Sequence, residues 1–226
     1  MGDECPPHTQ QGYRKIRMYT VLNAYAGVGG NRQKWENCQV TAVEMNPKIA
    51  AVYQRLYPGD IVIIGDAHQY LLDHHEEYDF VWSSPACQTH SKMNKFTRHK
   101  LRRYPNMQLY EEIIFLQNFY KGVWVVENVV PYYGVLEVRD VIITKVGRHV
   151  IWSNFEFEAE DVKRPDNFIN MANLAGKKAL QDWLGIHYEE NIYYDGNHCP
   201  AQILRNCVHP LLGEQIFNSM RKSHGI

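Results

Sequence analysis

The stretch SSPACQTHSKMNKF, Ser83–Phe96, sets Cys87 between an apolar run and a basic segment. A thiol there is either a nucleophile or a small buried side chain at a strand end, and free cysteine is among the most buried residue types. Alone, the residue leaves both readings open. A second stretch, VVENVV, ends another apolar run on Glu127. A thiolate beside a carboxylate that can carry a proton is a workable pair for adding to an electron-poor ring.

Two more acids end apolar runs, Glu44 in QVTAVEM and Asp66 in IIGDAH. The turn NAYAGVGGN precedes both and supplies Gly27, Gly29 and Gly30. Glycines at a strand-to-helix turn let a ligand approach the backbone closely. At a strand end each acid is either a solvated cap or a ligand group, Glu44 accepting from ribose hydroxyls and Asp66 from an adenine amino group. No Walker lysine follows the glycines, so an adenosine-type ligand fits better than a triphosphate. After Cys87 come Lys92, Lys95, Arg98, Lys100, Arg102 and Arg103, with no acid between Ser91 and Tyr104. Such a run is either a solvated face or a loop that contacts phosphates. His198, Cys199, Cys207 and His209 cluster in sequence, but their spacing matches no common zinc finger and no metal is expected.

The elements that must position these residues alternate. Six β-rich runs appear, RMYTVLNA, QVTAVEM, DIVIIGD, YDFVWSS, VWVVEN and RHVIWSN, and helical spacing lies between several of them, as in PKIAAVYQRLY and MQLYEEIIFLQNFY. That order predicts an α/β fold around a mostly parallel sheet, with the strand C-termini forming the ligand crevice. Residues 1–15 read as a loose arm and 16–152 as the catalytic core. The polar, aromatic segment 153–199 reads as a small insertion with one short helix at LAGKKALQDWLG, and 200–226 as a returning C-terminal segment. Hydrophobic residues at 45% and charged residues at 22% describe a globular chain, and no apolar run reaches membrane-span length. Five irregularly spaced cysteines and a polar N-terminus fit a reducing cytoplasm.

The blocks NAYAGVGG, VEMN, GDA, SPACQ, ENV and RNCVHP, in this order, resemble the motifs of C5-cytosine DNA methyltransferases, over about residues 18–152 and 200–220. The short 153–199 region resembles a reduced target-recognition domain of the compact, phage-type members. The resemblance implies a Rossmann-like fold that binds S-adenosylmethionine (SAM) and releases S-adenosylhomocysteine. It implies that Cys87 attacks cytosine C6, that Glu127 holds and protonates N3, and that Arg148 holds the base O2 or a phosphate. The target base is flipped out of DNA to be reached, in a bacterial or phage-infected cell. For the cofactor it implies Tyr25, Ala26, Gly27, Val28, Gly29, Gly30, Glu44, Met45, Asp66, Ala67, Ser84, Asn206 and Val208. For DNA it implies Ser91, Lys92, Lys95, Arg98, Lys100, Arg102 and Arg103. A partner subunit or homo-oligomer is a further source of target recognition. The chain departs from the pattern at Asn23 (usually Asp), Ala86 (usually Pro) and Arg205 (usually Gly), and its GRHVIW stretch keeps only Arg148 of a Gln-x-Arg-x-Arg motif. RNA methylation and non-catalytic nucleic-acid binding are the competing functions.

Overall fold

The computed structural model describes residues 18–92, 94, 104–171, 173–193 and 199–223. Among them, β1 (Tyr19–Ala24), β2 (Cys38–Glu44), β3 (Ile61–Ile64), β4 (Phe80–Ser83), β5 (Val123–Val129), β6 (Ile142–Val146) and β7 (His149–Ser153) form one sheet. Their spatial order is β3-β2-β1-β4-β5-β7-β6. The first five strands are parallel, whereas β7 runs antiparallel to β5 and β6 antiparallel to β7. The mostly parallel α/β sheet expected from the sequence is the one observed. Six strands stand at the apolar runs. The seventh, β6, has no counterpart among them, because it is a half-buried edge strand paired on one side only and its apolar signal is weak.

Period-2 alternation sends successive side chains to opposite faces, and here both faces are covered. Phe80 and Trp82 join Val21, Val125, Ile151 and Phe217 in one cluster. Val81 joins Leu22, Trp124, Val126 and Trp152 in another, on the opposite face, where Leu71, Leu109, Ile113 and Leu116 pack.

Among the described residues, six α-helices fill the outer layers: α1 (Pro47–Leu56), α2 (Ala67–His74), α3 (Gln108–Phe119), α4 (Leu174–Leu184), α5 (Gln202–Asn206) and α6 (Pro210–Ser223). Local chemistry fixes several of their starts. Asn46 accepts from Lys48 N at 2.9 Å, with Pro47 at the first helical position. Asp66 accepts from His68 N at 2.9 Å and so starts α2 directly after β3. The helix expected at LAGKKALQDWLG is α4, which begins on the Asn173 cap and ends on Gly185 at φ 65°. Leu180 and Leu184 of α4 share a cluster with Ile49 and Val52 of α1, Val28, Ile203 and Cys207. No helix among the described residues is long and apolar enough to cross a membrane.

The C-terminal helix α6 returns to the first turn of the fold. Trp35 stacks on Phe217 at 5.1 Å and donates from Nε1 to Gly213 O at 3.1 Å. A Cβ at Gly213 would collide with the backbone carbonyl of Asn31. Asn31 is itself held, its Nδ2 donating to Asn23 Oδ1 at 2.8 Å. Alanine in place of Gly213 gains about 1 kcal/mol of helix propensity, while forcing a fixed backbone apart costs about 1–3 kcal/mol. The collision is expected to win, so Gly213→Ala should lower the thermal midpoint by several degrees. A midpoint at or above wild type in a thermal melt would show that α6 has room to shift.

β1 lies between β2 and β4, and the strand order reverses there. Register keeps the strand ends level: Ala24 pairs with Val43 and Ser83, and Glu44 with Ile64. The crevice beyond those ends is where an open sheet of this kind takes a ligand.

Candidate active site

The turn after β1 is shaped by three left-handed residues, Tyr25 (φ 58°), Gly27 (φ 56°) and Gly29 (φ 76°). Tyr25 incurs a steric penalty there that glycine does not. Its hydroxyl donates to Glu112 Oε1 at 2.6 Å, which pins it. Glu112 of α3 is fully buried, and it also faces His68 Nδ1 at 2.9 Å and accepts from Ser83 Oγ at 2.5 Å. The bond to Glu112 outweighs burial and raises the His68 imidazole above its ordinary value, with Glu111 and Asp66 adding to the effect.

Glu44 closes the turn from the side of β2. Oε2 accepts from Gly27 N at 3.0 Å and Oε1 from Asn46 N at 2.8 Å. Burial pushes its carboxyl up, and these backbone N–H groups partly offset that. Met45 beside it is 65% exposed and lines the crevice. Asp66 spends one oxygen on the α2 cap and is exposed at the end of β3.

Cys87 follows β4. His90 N and Ser91 N both donate to its carbonyl at 3.0 Å, so the chain turns sharply at the thiol. Burial pushes the Cys87 thiol up to about 11, the Glu127 charge adds to this, and Arg148 opposes it. Glu127 on β5 faces His149 on β7, with His149 Nδ1 2.6 Å from Oε1. Burial pushes the Glu127 carboxyl up, but His149 and Arg148 more than offset it and hold the group below the usual carboxylate range. Arg148 sits in the two-residue turn between β6 and β7 behind Gly147 (φ 56°), and donates from Nη2 to Cys207 O at 2.9 Å. Burial lowers its guanidinium, while Glu127 and Cys87 act to keep the charge.

One cavity of about 760 Å³ joins these groups. Its wall carries Tyr25, Ala26, Gly27, Gly30, Glu44, Met45, Asp66, Ser84, Asn206 and Val208 of the expected cofactor set, and all of Cys87, Glu127 and Arg148. Val28, Gly29 and Ala67, also expected at the cofactor, are not in the wall. Val28 and Ala67 are buried in apolar clusters. Gly29 is packed so closely on the rings of Tyr53 and Tyr57 that a Cβ would overlap them. Gly30 has the same constraint against Val208 O and Cys207 Cβ, and this contact brings the C-terminal segment to the turn. Ser91 bridges to Pro131 and Lys92 is exposed, both outside the cavity wall. Lys95, Arg98, Lys100, Arg102 and Arg103 lie outside the described residues, as does His198. Cys207 and His209 are engaged with backbone, through Ile203 O at 3.3 Å and Trp183 O at 3.1 Å.

Comparison with known proteins adds to this geometry. No protein-family model matches the chain, and no curated protein does. Among solved structures, the Entamoeba histolytica methyltransferase EhMeth is similar at a TM-score of 0.52 and 10% identity, over 93% of this chain and 100% of that one. The chain has the fold of that methyltransferase. A DNMT2 variant from Spodoptera frugiperda is similar at a TM-score of 0.44 and 17% identity, over 66% of this chain and 56% of that one. A TehB-like SAM-dependent methyltransferase from Corynebacterium glutamicum is similar at 0.39 and 12%, over 61% and 79%.

His149 and Glu112 are absent from the sequence-based site. His149 is reached only through the antiparallel β5–β7 pairing. Glu112 carried a readable signal, since it stands in helical phase with the buried Leu109, Ile113 and Leu116.

Proposed function

We propose that this protein transfers a methyl group from SAM to C5 of a flipped cytosine in DNA, with Cys87 as the nucleophile. The observation that carries the reading is the shared cavity that joins Glu44, Met45 and Asp66 to Cys87, Glu127 and Arg148. A volume near 760 Å³ lies in the upper part of the range of about 300–1,000 Å³ for small-molecule sites, which suits a nucleoside cofactor with a base beside it. The fold shared with a methyltransferase supports the same reading.

The residues fit SAM. Glu44 keeps acceptor capacity toward ribose hydroxyls, Asp66 keeps one oxygen for the adenine amino group, and exposed Met45 offers an apolar face to the ring. When bound, SAM supplies an electrophilic methyl group on sulfonium. Cytosine C5 is a poor nucleophile, so the chain must first activate the ring. The Cys87 sulfur adds to C6 as a thiolate, Glu127 gives N3 a proton, and the ring electrons become available at C5. Arg148 supports the thiolate by its charge. Loss of the C5 proton to water after transfer restores the C5–C6 double bond, and the Cys87 sulfur leaves again as a thiolate. The basic run after Cys87 is placed in sequence to contact the phosphates of the flipped strand.

Asp66→Ser keeps a helix cap and removes the carboxylate. It is expected to weaken SAM binding by about 1.5–3 kcal/mol, roughly tenfold or more. Calorimetric titration reads this directly, and unchanged affinity would place the adenine elsewhere. The function itself is tested by incubating the protein and labelled SAM with duplex DNA or with RNA, then digesting to nucleosides. Label in 5-methylcytosine from DNA is the expected result. Label only from RNA would move the substrate, and label in neither would reject the activity.

A further inference from the structure

Glu127 has a partner that the chemistry above leaves unused. In the β5–β7 register Glu127 pairs with Ile151 and Val129 with His149, so Glu127 and His149 are diagonal neighbours on one face. Both are 6% exposed, and His149 Nδ1 lies 2.6 Å from Glu127 Oε1. Two bare acceptors would repel at that separation, so a proton lies between them. His149 also lines the cavity.

We propose that His149 is a positioning residue that stores the proton Glu127 delivers to the base, the two side chains acting as one proton-carrying unit. The inference rests on the cytosine reading above. As the Cys87 sulfur bonds to C6, the C5–C6 π pair moves to C4–C5 and the C4–N3 π pair to N3, which takes a proton from Glu127. That proton reaches the Glu127 carboxylate from Nδ1 of the imidazolium, which becomes a neutral imidazole. When the sulfur leaves, the N3 proton returns through Glu127 to Nδ1, so neither side chain is consumed. Glu127, held in its ionised form by His149 and Arg148, has no proton of its own to give at rest. The other groups facing the pair are Cys87 and Ser84 after β4, Arg148 in the β6–β7 turn and Cys207 after α5. Asp161, Arg164 and His209 line a small space behind His149. Of these, Arg148 and Arg164 bear fixed positive charge, and Asp161 is the acid on the far side.

The test uses H149Q, which retains an N–H for Glu127 and stores no titratable proton. Wild-type single-turnover transfer should fall as pH rises and the imidazolium is lost. H149Q should transfer about 100-fold more slowly at neutral pH, and its residual rate should not fall through that same pH window. A wild-type rate and pH profile in H149Q would overturn the proposal. The imidazole 1H–15N spectrum decides independently of activity and of how well H149Q folds. In wild type Nδ1 should carry its proton, and Glu127→Gln should move the Nδ1–H resonance upfield, because an amide oxygen accepts more weakly than a carboxylate. An unprotonated Nδ1, or an Nδ1–H resonance unmoved by Glu127→Gln, would overturn the pair. A wild-type protein that methylates no cytosine, yet shows this hydrogen-bonded Nδ1–H, would locate the failure in the cytosine reading.

Discussion

Glu127→Gln is expected to slow methyl transfer by about 10²–10⁴-fold and, in the same protein, to make Cys87 more reactive toward iodoacetamide. The two effects have separate causes. Transfer slows because a neutral amide cannot hand a proton to N3. The thiol speeds up because, next to burial, the Glu127 charge is what holds it near 11. Removing that charge lets more thiolate form at a given pH, and the thiolate is the reacting species. Arg148→Gln should move alkylation the other way, since the guanidinium opposes the shift. Peptide mass mapping of Cys87 against time, at a mildly alkaline pH, follows the alkylation. Transfer at the wild-type rate, or slower alkylation in Glu127→Gln, would contradict the assigned pairing.

The resting thiol also bears on how the reaction is gated. Cys87 sits largely protonated in the free protein, so attack waits for whatever shifts that balance when substrate enters.

The parts of this site that were legible in the sequence are those set by local chemistry. Glu44 ends β2, Asp66 and Cys87 follow shortly after β3 and β4, and Glu127 lies near the end of β5, so parallel order brings all four to one crevice. The glycine turn was legible for the same reason, though the sequence could not divide its labour. Gly27 and Gly30 line the cavity, while Gly29 serves the packing of Tyr53 and Tyr57. Departures from the family pattern become intelligible only with neighbours in place. Asn23 is 1% exposed and pairs its amide with Asn31, close to Tyr53, whose hydroxyl donates to Asp60 at 2.8 Å. A carboxylate in place of Asn23 would add a second buried anion there. Arg205 folds back on Gln202 of its own helix. The structure gives no account of Ala86.

What stayed hidden depends on pairings between distant segments. His149 meets Glu127 only because β7 runs antiparallel to β5, and nothing in HVIWS fixes that direction. The Glu112 network gathers Tyr25, His68 and Ser83 from three other elements, so no single stretch of sequence contains it.

The central claim, that Cys87 bonds to the base, is tested most directly by a duplex carrying cytosine with fluorine at C5. After methyl transfer, fluorine cannot leave as a proton does, so the elimination that would release the sulfur stalls. The expected product is a denaturation-resistant protein–DNA adduct that forms only with SAM present and maps to Cys87 by peptide mass. Cys87→Ser should bind SAM normally and give no adduct, because a serine hydroxyl is far less ionised than a thiol. Replacing Cys38 or Cys207, both packed against the core, should leave the adduct intact. An adduct that persists in Cys87→Ser, or a wild-type protein that methylates cytosine without ever being trapped, would contradict the account.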